Sequence, residues 1–182
     1  MKIKITPAKI KHIFFYSISF GVLCLCTVFA GCTGSGGYSS QSLFPEDITS
    51  VYVEMFDNQS FYRGVEFELT DALAKRIEAQ TPYKIISNRN KADTIISGQI
   101  TNIDESVLTT ERETGRALEK EIQLQAVVRW KNLKTGQLLI DNSTVSASAT
   151  YSEWQNQGFN YASTLAANNL AKKIVEQMEI KW

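Results

Sequence analysis

The side chains best suited to nucleophilic or metal chemistry are few and lie near the start of the chain. The 182 residues contain a single histidine, His12, and three cysteines, Cys24, Cys26 and Cys32. Ser-His-Asp and Cys-His catalysis require an imidazole or a thiol, and the usual zinc sites require cysteine or histidine ligands. The rest of the chain offers only carboxylate, lysine and hydroxyl chemistry. This composition argues against an enzyme, and it predicts neither a metal site nor a cofactor.

The setting of Cys32 indicates a different chemistry. Four lysines and no acidic residue precede it, and the run from Ile13 to Ala30 is almost wholly apolar, which is the organisation of an export signal. The run ends in Phe29-Ala30-Gly31-Cys32, and this ending resembles the lipobox of bacterial lipoproteins. The resemblance implies that residues 1–31 are a signal peptide that is removed, and that Cys32 is lipidated with diacylglycerol and further acyl chains such as palmitate.

Two other interpretations of the first 31 residues stay open at this point. An apolar run of this length also suits an uncleaved membrane-spanning helix, and ordinary secretion is the third possibility. Thr33 follows the cysteine, whereas inner-membrane lipoproteins of the enteric type usually have aspartate there. We therefore expect a lipid anchor in the outer membrane, with the domain facing the periplasm.

The charge after processing excludes one class of partner. Because four of the 19 basic side chains lie in residues 1–31, the processed chain would carry 15 basic and 19 acidic side chains, a net charge near −4. Nucleic acid is an unsuitable partner for such a chain, since binding to phosphates needs a basic surface. Cys32 would carry the lipid and be the one cysteine left, so no disulfide is expected.

Beyond the signal, the sequence predicts a flexible tether and one domain. Residues 33–42 are rich in glycine and serine, and we place the tether at 32–45. Residues 46–182 have the length of a single domain. Apolar residues alternate with polar ones or cluster as in strands over 48–56, 83–87, 94–103, 107–112, 118–130 and 137–149. Helical spacing predicts helices over 65–80 and 159–178, and Pro82 follows the first of them.

These elements, in the order β-α-β-β-β-α, predict an α+β fold. Two amphipathic helices and a sheet with one apolar face pack most simply as two layers. We expect a two-layer sandwich in which a mixed sheet of about four strands carries both helices on one face. Gly98 inside a strand indicates a bulge or close packing. The other face of the sheet would be polar, or covered by a partner.

Several segments together resemble one family, the lipopolysaccharide-assembly lipoproteins called LptE. Residues 50–59 resemble the first strand of that family and its exit, and Gly64–Leu73 fits the Gly-x-Glu-x-x-Leu-Thr-x-Ala-Leu opening of its first helix. Ala92–Ile100 is similar to the family's Ala-Asp strand, and Trp130–Gly136 to its hairpin turn. Gly37-Tyr38 echoes a Gly-Tyr pair that usually follows the lipidated cysteine more closely. The resemblance extends from Tyr38 to the C-terminus.

The resemblance implies a role without catalysis. Members of the family bind the large β-barrel translocon LptD at the inner face of the outer membrane, occupy its lumen as a plug, and support lipopolysaccharide transport and outer-membrane assembly. Direct contact with lipopolysaccharide is a further implication. The turn motifs alone also occur in other envelope lipoproteins, including activators of peptidoglycan synthases. An activator of a cell-wall synthase is therefore the alternative function.

Basic residues around one predicted loop are the candidates for contact with lipid phosphates. They are Arg112, Arg116 and Lys120, and four glutamates interleave with them, which also fits a solvated hairpin tip. Lys131 and Lys134, in a later turn, are further candidates for contact with lipid phosphates, and they too fit a solvated turn.

Two further groups of side chains are expected to be structural. One is an acidic group that suits the positive N-terminal end of the first helix better than acid-base catalysis: Glu66, Glu68 and Asp71. The other is an aromatic group before and in the last helix, expected in the core or as a hydrophobic staple, with a barrel-facing patch as the alternative: Trp154, Phe159 and Tyr161.

Overall fold

The computed structural model describes residues 43–180. The predicted signal peptide, the lipidation at Cys32 and most of the predicted tether lie outside the described residues. Among residues 43–180, no helix is long and apolar enough to cross a membrane.

The described part of the chain contains six β-strands, two α-helices and two short 3-10 turns. In chain order, the strands and helices are β1 Ser50–Val53, β2 Asp57–Asn58, α1 Val65–Gln80, β3 Lys84–Ile85, β4 Thr94–Thr110, β5 Ala117–Asn132, β6 Leu138–Tyr151 and α2 Phe159–Gln177.

All six strands form one mixed sheet. The strand order is β3-β1-β4-β5-β6, and β2 pairs with β4 beyond the end of β1. β1 runs parallel to β3 and β4, whereas β4, β5 and β6 are antiparallel neighbours. The predicted α+β class and mixed sheet are confirmed. The sheet has six strands rather than about four: β2 is an additional two-residue strand, and β3 forms from two residues of the segment predicted over 83–87.

One face of the sheet is apolar and covered by the helices. Along β5, buried residues alternate with exposed or half-buried ones, and the buried set is Ile122, Leu124, Ala126, Val128 and Trp130. α2 packs on β5 and β6, and α1 packs beside α2. The opposite face, which we call the open face, carries side chains such as Gln123, Gln125 and Arg129. The predicted two-layer arrangement is confirmed.

The ends of α1 follow from local chemistry. Gly64 precedes the helix with φ of 99°, a backbone conformation that favours glycine. The N–H of Thr81 donates to the carbonyl of Ile77 (3.0 Å), and Pro82 follows, where a helix continues with difficulty. Both ends of α1 agree with the sequence prediction.

Two sequence predictions differ from the structure in β4 and β2. The strands predicted over 94–103 and 107–112 are one strand, β4, because Asp104, Glu105 and Ser106 pair with β5 although they are polar. Register shifts at Thr101 and Leu108 accommodate this length. Asp57–Asn58, which lies beyond the strand predicted over 48–56, forms β2 against β4.

Gly98 marks a close approach rather than the bulge itself. A Cβ atom built on Gly98 would lie 2.5 Å from the carbonyl oxygen of Val127 and 2.6 Å from a ring carbon of Phe56. Phe56 is buried over this position, so the strand needs a residue without a side chain. The expectation of close packing is confirmed.

The two ends of the long sheet differ, and we name them by their contents. The base end contains the start of β4 and the end of β5. There the ring of Phe44 lies 5.9 Å from that of Tyr83, and the rings of Tyr83 and Trp130 lie 6.0 Å apart. The hairpin end contains the turn between β4 and β5. Core packing therefore begins at Phe44, close to the predicted end of the tether.

Candidate functional site

The β4–β5 hairpin extends beyond every other strand of the described sheet. β6 accompanies β5 only as far as Lys120, whereas β4 and β5 remain paired up to Thr110 and Ala117. The N–H of Glu111 donates to the carbonyl of Arg116 (2.8 Å) and closes the turn. The hairpin thus extends as a two-stranded tip, and residues 112–116 in its turn are exposed.

The predicted lipid-contact residues lie around this tip but do not form one free basic patch. Arg112 is exposed. The guanidinium of Arg116 lies 4.8 Å from the ring centre of Trp154, and the ammonium of Lys120 lies 3.2 Å from a carboxylate oxygen of Glu105. Arg112 is therefore the member of the three that is best placed to meet an external phosphate. Contact with lipid remains a prediction.

Lys120 is the centre of a network that fastens the hairpin stem to the rest of the sheet. It pairs with Glu105 of β4 and with Glu153 after β6 (3.0 Å), and the hydroxyl of Tyr151 donates to Glu105 (2.6 Å). The hydrogen bond from Tyr151 and the charge of Lys120 lower the pKa of Glu105. Carboxylates of Glu153 and Glu105 raise the pKa of Lys120. Lys120 and Glu105 therefore favour each other's charged form.

Two of the three aromatic residues that were expected in the core are exposed. Trp154 is 59% exposed and Tyr161 is 51% exposed, so the core interpretation is wrong for both. Trp154 follows β6 in a short 3-10 turn, and Tyr161 lies on the outer face of α2. Phe159, the first residue of α2, stacks on Tyr62 before α1 with ring centres 4.2 Å apart. Exposed aromatic rings thus flank the hairpin end.

The acidic residues near the start of α1 do not converge on one site. They are Glu66, Glu68 and Asp71. Glu66 accepts hydrogen bonds from the side chain of Asn58 (2.7 Å) and the N–H of Gly64 (3.0 Å). Although partial burial opposes the shift, these hydrogen bonds lower the pKa of Glu66. Asp71 pairs with Lys75 of the same helix (2.6 Å). The arrangement agrees with the structural interpretation.

The base end holds a buried carboxylate whose partners the sequence alone did not identify. Asp93 accepts the N–H groups of Thr49 and Ser50 (both 3.0 Å) and the hydroxyl of Thr49 (2.5 Å), and it pairs with Lys134 (2.5 Å). The Lys134 ammonium and the Thr49 hydroxyl hold the pKa of Asp93 well below its usual range. Lys134, a secondary candidate for lipid contact, is engaged here. Asp93 thus joins the start of β1, the start of β4 and the β5–β6 turn.

Across residues 43–180, no group of three or more carboxylate, imidazole or thiol side chains is placed to hold a metal ion. The carboxylates of Asp93, Glu66 and Glu105 accept hydrogen bonds within the fold.

Comparison with known proteins gives the family. The sequence model of the LptE lipopolysaccharide-assembly family matches residues 48–181, which includes every strand and both helices. The chain belongs to this family. The LptE family is a family of non-enzymatic lipoproteins of lipopolysaccharide assembly, and the predicted family is confirmed.

Solved structures share the fold of this LptE-family chain at low sequence identity. The hypothetical protein CT253 from Chlamydia trachomatis is 11% identical, with a TM-score of 0.50 over 71% of this chain and 95% of that one. An uncharacterized lipoprotein B from Nitrosomonas europaea is 15% identical, with a TM-score of 0.50 over 76% of this chain and 88% of that one. At such identities the likeness shows the fold alone. No curated protein matches significantly.

Proposed function

We propose that this chain is anchored by lipid on Cys32 in the outer membrane, faces the periplasm, and partners and plugs an LptD-type β-barrel translocon. In this role it supports lipopolysaccharide transport and outer-membrane assembly. The observation that carries the proposal is the LptE-family match over residues 48–181. That match spans both ends of the sheet, so it covers the hairpin end as well as the core.

Physical features of the domain suit a plug. The lumen of an outer-membrane barrel is polar, and the open face of the sheet carries neutral polar side chains on neighbouring strands. These include Gln123, Gln125, Ser148 and Thr150. Such side chains exchange hydrogen bonds with a polar wall without burying unpaired charges.

A lipid anchor would act by raising the local concentration of the domain beside the barrel. Confinement to a surface converts the encounter with a membrane partner into a nearly intramolecular event. Several acyl chains together hold a protein durably, because each buried CH₂ contributes about 0.8 kcal/mol. Incorporation of labelled palmitate into the wild type, and its loss in Cys32→Ser, tests this step.

Co-purification tests the partnership. A tagged full-length chain should retain a large outer-membrane barrel protein after membrane solubilisation, and depletion should lower the lipopolysaccharide at the cell surface. Retention of a penicillin-binding protein in place of a barrel would overturn the proposal in favour of a cell-wall synthase activator, an alternative that the family comparison does not support.

Direct contact with lipopolysaccharide is the finer part of the proposal. Arg112 is its first candidate, with Arg116 and Lys120 beside it, since cationic side chains bind lipid phosphates. Arg112→Ala should weaken binding of purified lipopolysaccharide, and Arg129→Ala on the open face serves as a control for loss of charge. Equal binding by wild type and Arg112→Ala would remove this part and leave the barrel partnership intact.

A further inference from the structure

The outer edge of β4 has no partner strand over its second half. β1 and β2 pair with β4 only up to Ile100, and within residues 43–180 no strand pairs with that edge from Thr101 to Thr110. The side chains from Asp104 to Thr110 are exposed. An edge of this kind presents unpaired N–H and C=O groups to any extended chain that reaches it.

The hydrogen-bond ladder identifies which backbone groups point outward. The carbonyl of Ile100 faces β2, because it accepts the N–H of Gln59 (3.0 Å). Alternate residues of a strand point to alternate sides, and the extra residue of the bulge after Ile100 shifts the alternation by one. The residues whose N–H and C=O groups point away from β5 are therefore Ile103, Glu105 and Val107.

The side chains along this edge give the two faces different chemistry. Ile103, Glu105 and Val107 lie on the helix-covered face. Ile103 is buried and Val107 is 53% exposed, whereas the carboxylate of Glu105 is already engaged by Tyr151 and Lys120. Asp104 and Ser106 lie on the open face, where Glu121 of β5 is the partner of Ser106. A strand added here would therefore meet the exposed Val107 and the already paired Glu105 on one face, and the carboxylates of Asp104 and Glu121 on the other.

The charge of the hairpin selects the partner. Residues 104–121 contain six acidic and three basic side chains, and two of the basic ones are already engaged, Lys120 with Glu105 and Arg116 with Trp154. A second copy of this chain would bring like charges together, which is unfavourable. A strand that carries lysine or arginine on its open-face side would instead complement Asp104 and Glu121.

We infer that the β4 edge from Ile103 to Val107 binds an extended polypeptide strand of a partner protein, with lysine or arginine on one face and aliphatic residues on the other. The bound strand would add to the sheet beside β4, just beyond the residues that pair with β2. The inference rests on the proposed function in one respect, since the barrel is the protein expected to supply the strand.

The test measures binding of a defined probe to the full-length lipoprotein in detergent. The probe is a fluorescent hexapeptide that alternates lysine and valine. One control peptide has glutamate in place of lysine, and a second has N-methyl groups on alternate backbone nitrogens, which preserves charge and removes the donors needed for pairing. Fluorescence anisotropy should detect the lysine-valine peptide only, and amide exchange should slow at Glu105 and Val107.

Variants of the chain separate strand addition from simple charge attraction. Val107→Pro removes an outward N–H while leaving the ladder to β5 intact, and it should weaken binding about tenfold. Thr144→Pro is the matched control on the outer edge of β6, where the carbonyls of Ser146 and Ser148 also face outward towards α2. Asp104→Lys leaves the backbone unchanged, and it should also weaken binding of the lysine-valine peptide.

Three results would overturn the inference: equal binding of the N-methylated peptide, unchanged binding by both Val107→Pro and Asp104→Lys, or exchange protection elsewhere in the chain. Dimerisation that Val107→Pro abolishes would assign the edge to a second copy instead.

If the wild type retains the barrel but the peptide does not bind, the edge inference falls and the proposed function stands. If the peptide binds but no barrel is retained, the edge inference stands and the proposed function falls.

Discussion

The base end and the hairpin end of the same long strands are stabilised in different ways. At the base end, Asp93 is buried and three segments of chain converge on its carboxylate. At the hairpin end, β4 and β5 leave the core, and a partly exposed network around Lys120 fastens them. One end is therefore held by buried groups of the fold, whereas the other is held by partly exposed ones and leaves the turn of residues 112–116 exposed.

The largest expected effect tests the base end. Asp93→Ala leaves the N–H groups of Thr49 and Ser50 without their acceptor, and we expect it to lower the free energy of unfolding by about 3 kcal/mol. Asp71→Ala, which breaks an exposed pair with Lys75, is the control and should cost about 0.5 kcal/mol or less. Urea denaturation measures both. Equal losses of unfolding free energy in the two variants would mean that Asp93 stabilises the fold no more than an exposed ion pair does.

The same carboxylate gives the base end a pH dependence. Because the folded pKa of Asp93 lies below its unfolded value, its stabilisation is complete above the unfolded pKa of about 3.9 and is lost as the pH falls through the folded pKa. We expect the wild type to lose more stability than Asp93→Asn between about pH 5 and pH 2. Parallel acid titrations of the two proteins would contradict this.

A smaller loss of stability is expected from a substitution at Gly98, where β4 packs against Phe56. Gly98→Ala places a Cβ against Phe56 and the carbonyl of Val127, and it should destabilise by about 2 kcal/mol through overpacking. Gly158→Ala is the matched control, because a Cβ there meets nothing within 4 Å. Thermal unfolding of both variants measures the contrast. Comparable midpoints of thermal unfolding for the two variants would show that β4 can shift to accommodate a Cβ atom at position 98.

The hairpin stem should respond locally rather than globally. Tyr151→Phe removes the hydroxyl that donates to Glu105, with a loss of about 1 kcal/mol. The pKa of Glu105 should rise, since that hydrogen bond is the largest contribution to lowering it. NMR titration follows the pKa, and amide exchange should accelerate in the hairpin only. Acceleration throughout the sheet would mean that the two ends unfold as one unit.

The smallest effect is expected at the tip itself. Arg116→Ala removes the cation from the ring of Trp154, and exposed contacts of this type contribute about 0.5 kcal/mol. We expect unfolding to change by no more than that, while the fluorescence of Trp154 shifts as its ring loses its neighbour. Trp130 and Trp182 also emit, so a Trp154→Phe background identifies the signal. A large loss of stability would place the tip within the structural part of the domain.

Sequence reasoning succeeded where local chemistry determines structure. The apolar spacing of α1, with Pro82 beyond it, gave that helix correctly, and the alternation along β5 gave its buried face. It failed where pairing overrides composition. Nothing in Asp104-Glu105-Ser106 indicates a strand until β5 lies beside it.

The candidate surfaces were predictable only in part. The interleaved charges around the 111–116 turn indicated a solvated hairpin tip, and the structure places them there. Pairing of Lys134 with Asp93 joins residues 41 positions apart, and one sequence alone does not record such partners. Exposure of Trp154 was missed because an aromatic residue beside a helix is more often buried.

The contact between Leu43 and Ile180 has a consequence for how the domain can be oriented. The N–H of Ile180 donates to the carbonyl of Leu43 (2.8 Å), so the chain enters and leaves the fold at adjacent points, beside the terminal turn of α2. β4 spans 17 residues, about 55 Å at a strand's rise per residue. Leu43 and Ile180 therefore lie close together, whereas the loop of residues 111–116 lies beyond the far end of β4. A group attached at residue 43 or residue 180 would be separated from that loop by most of the length of β4.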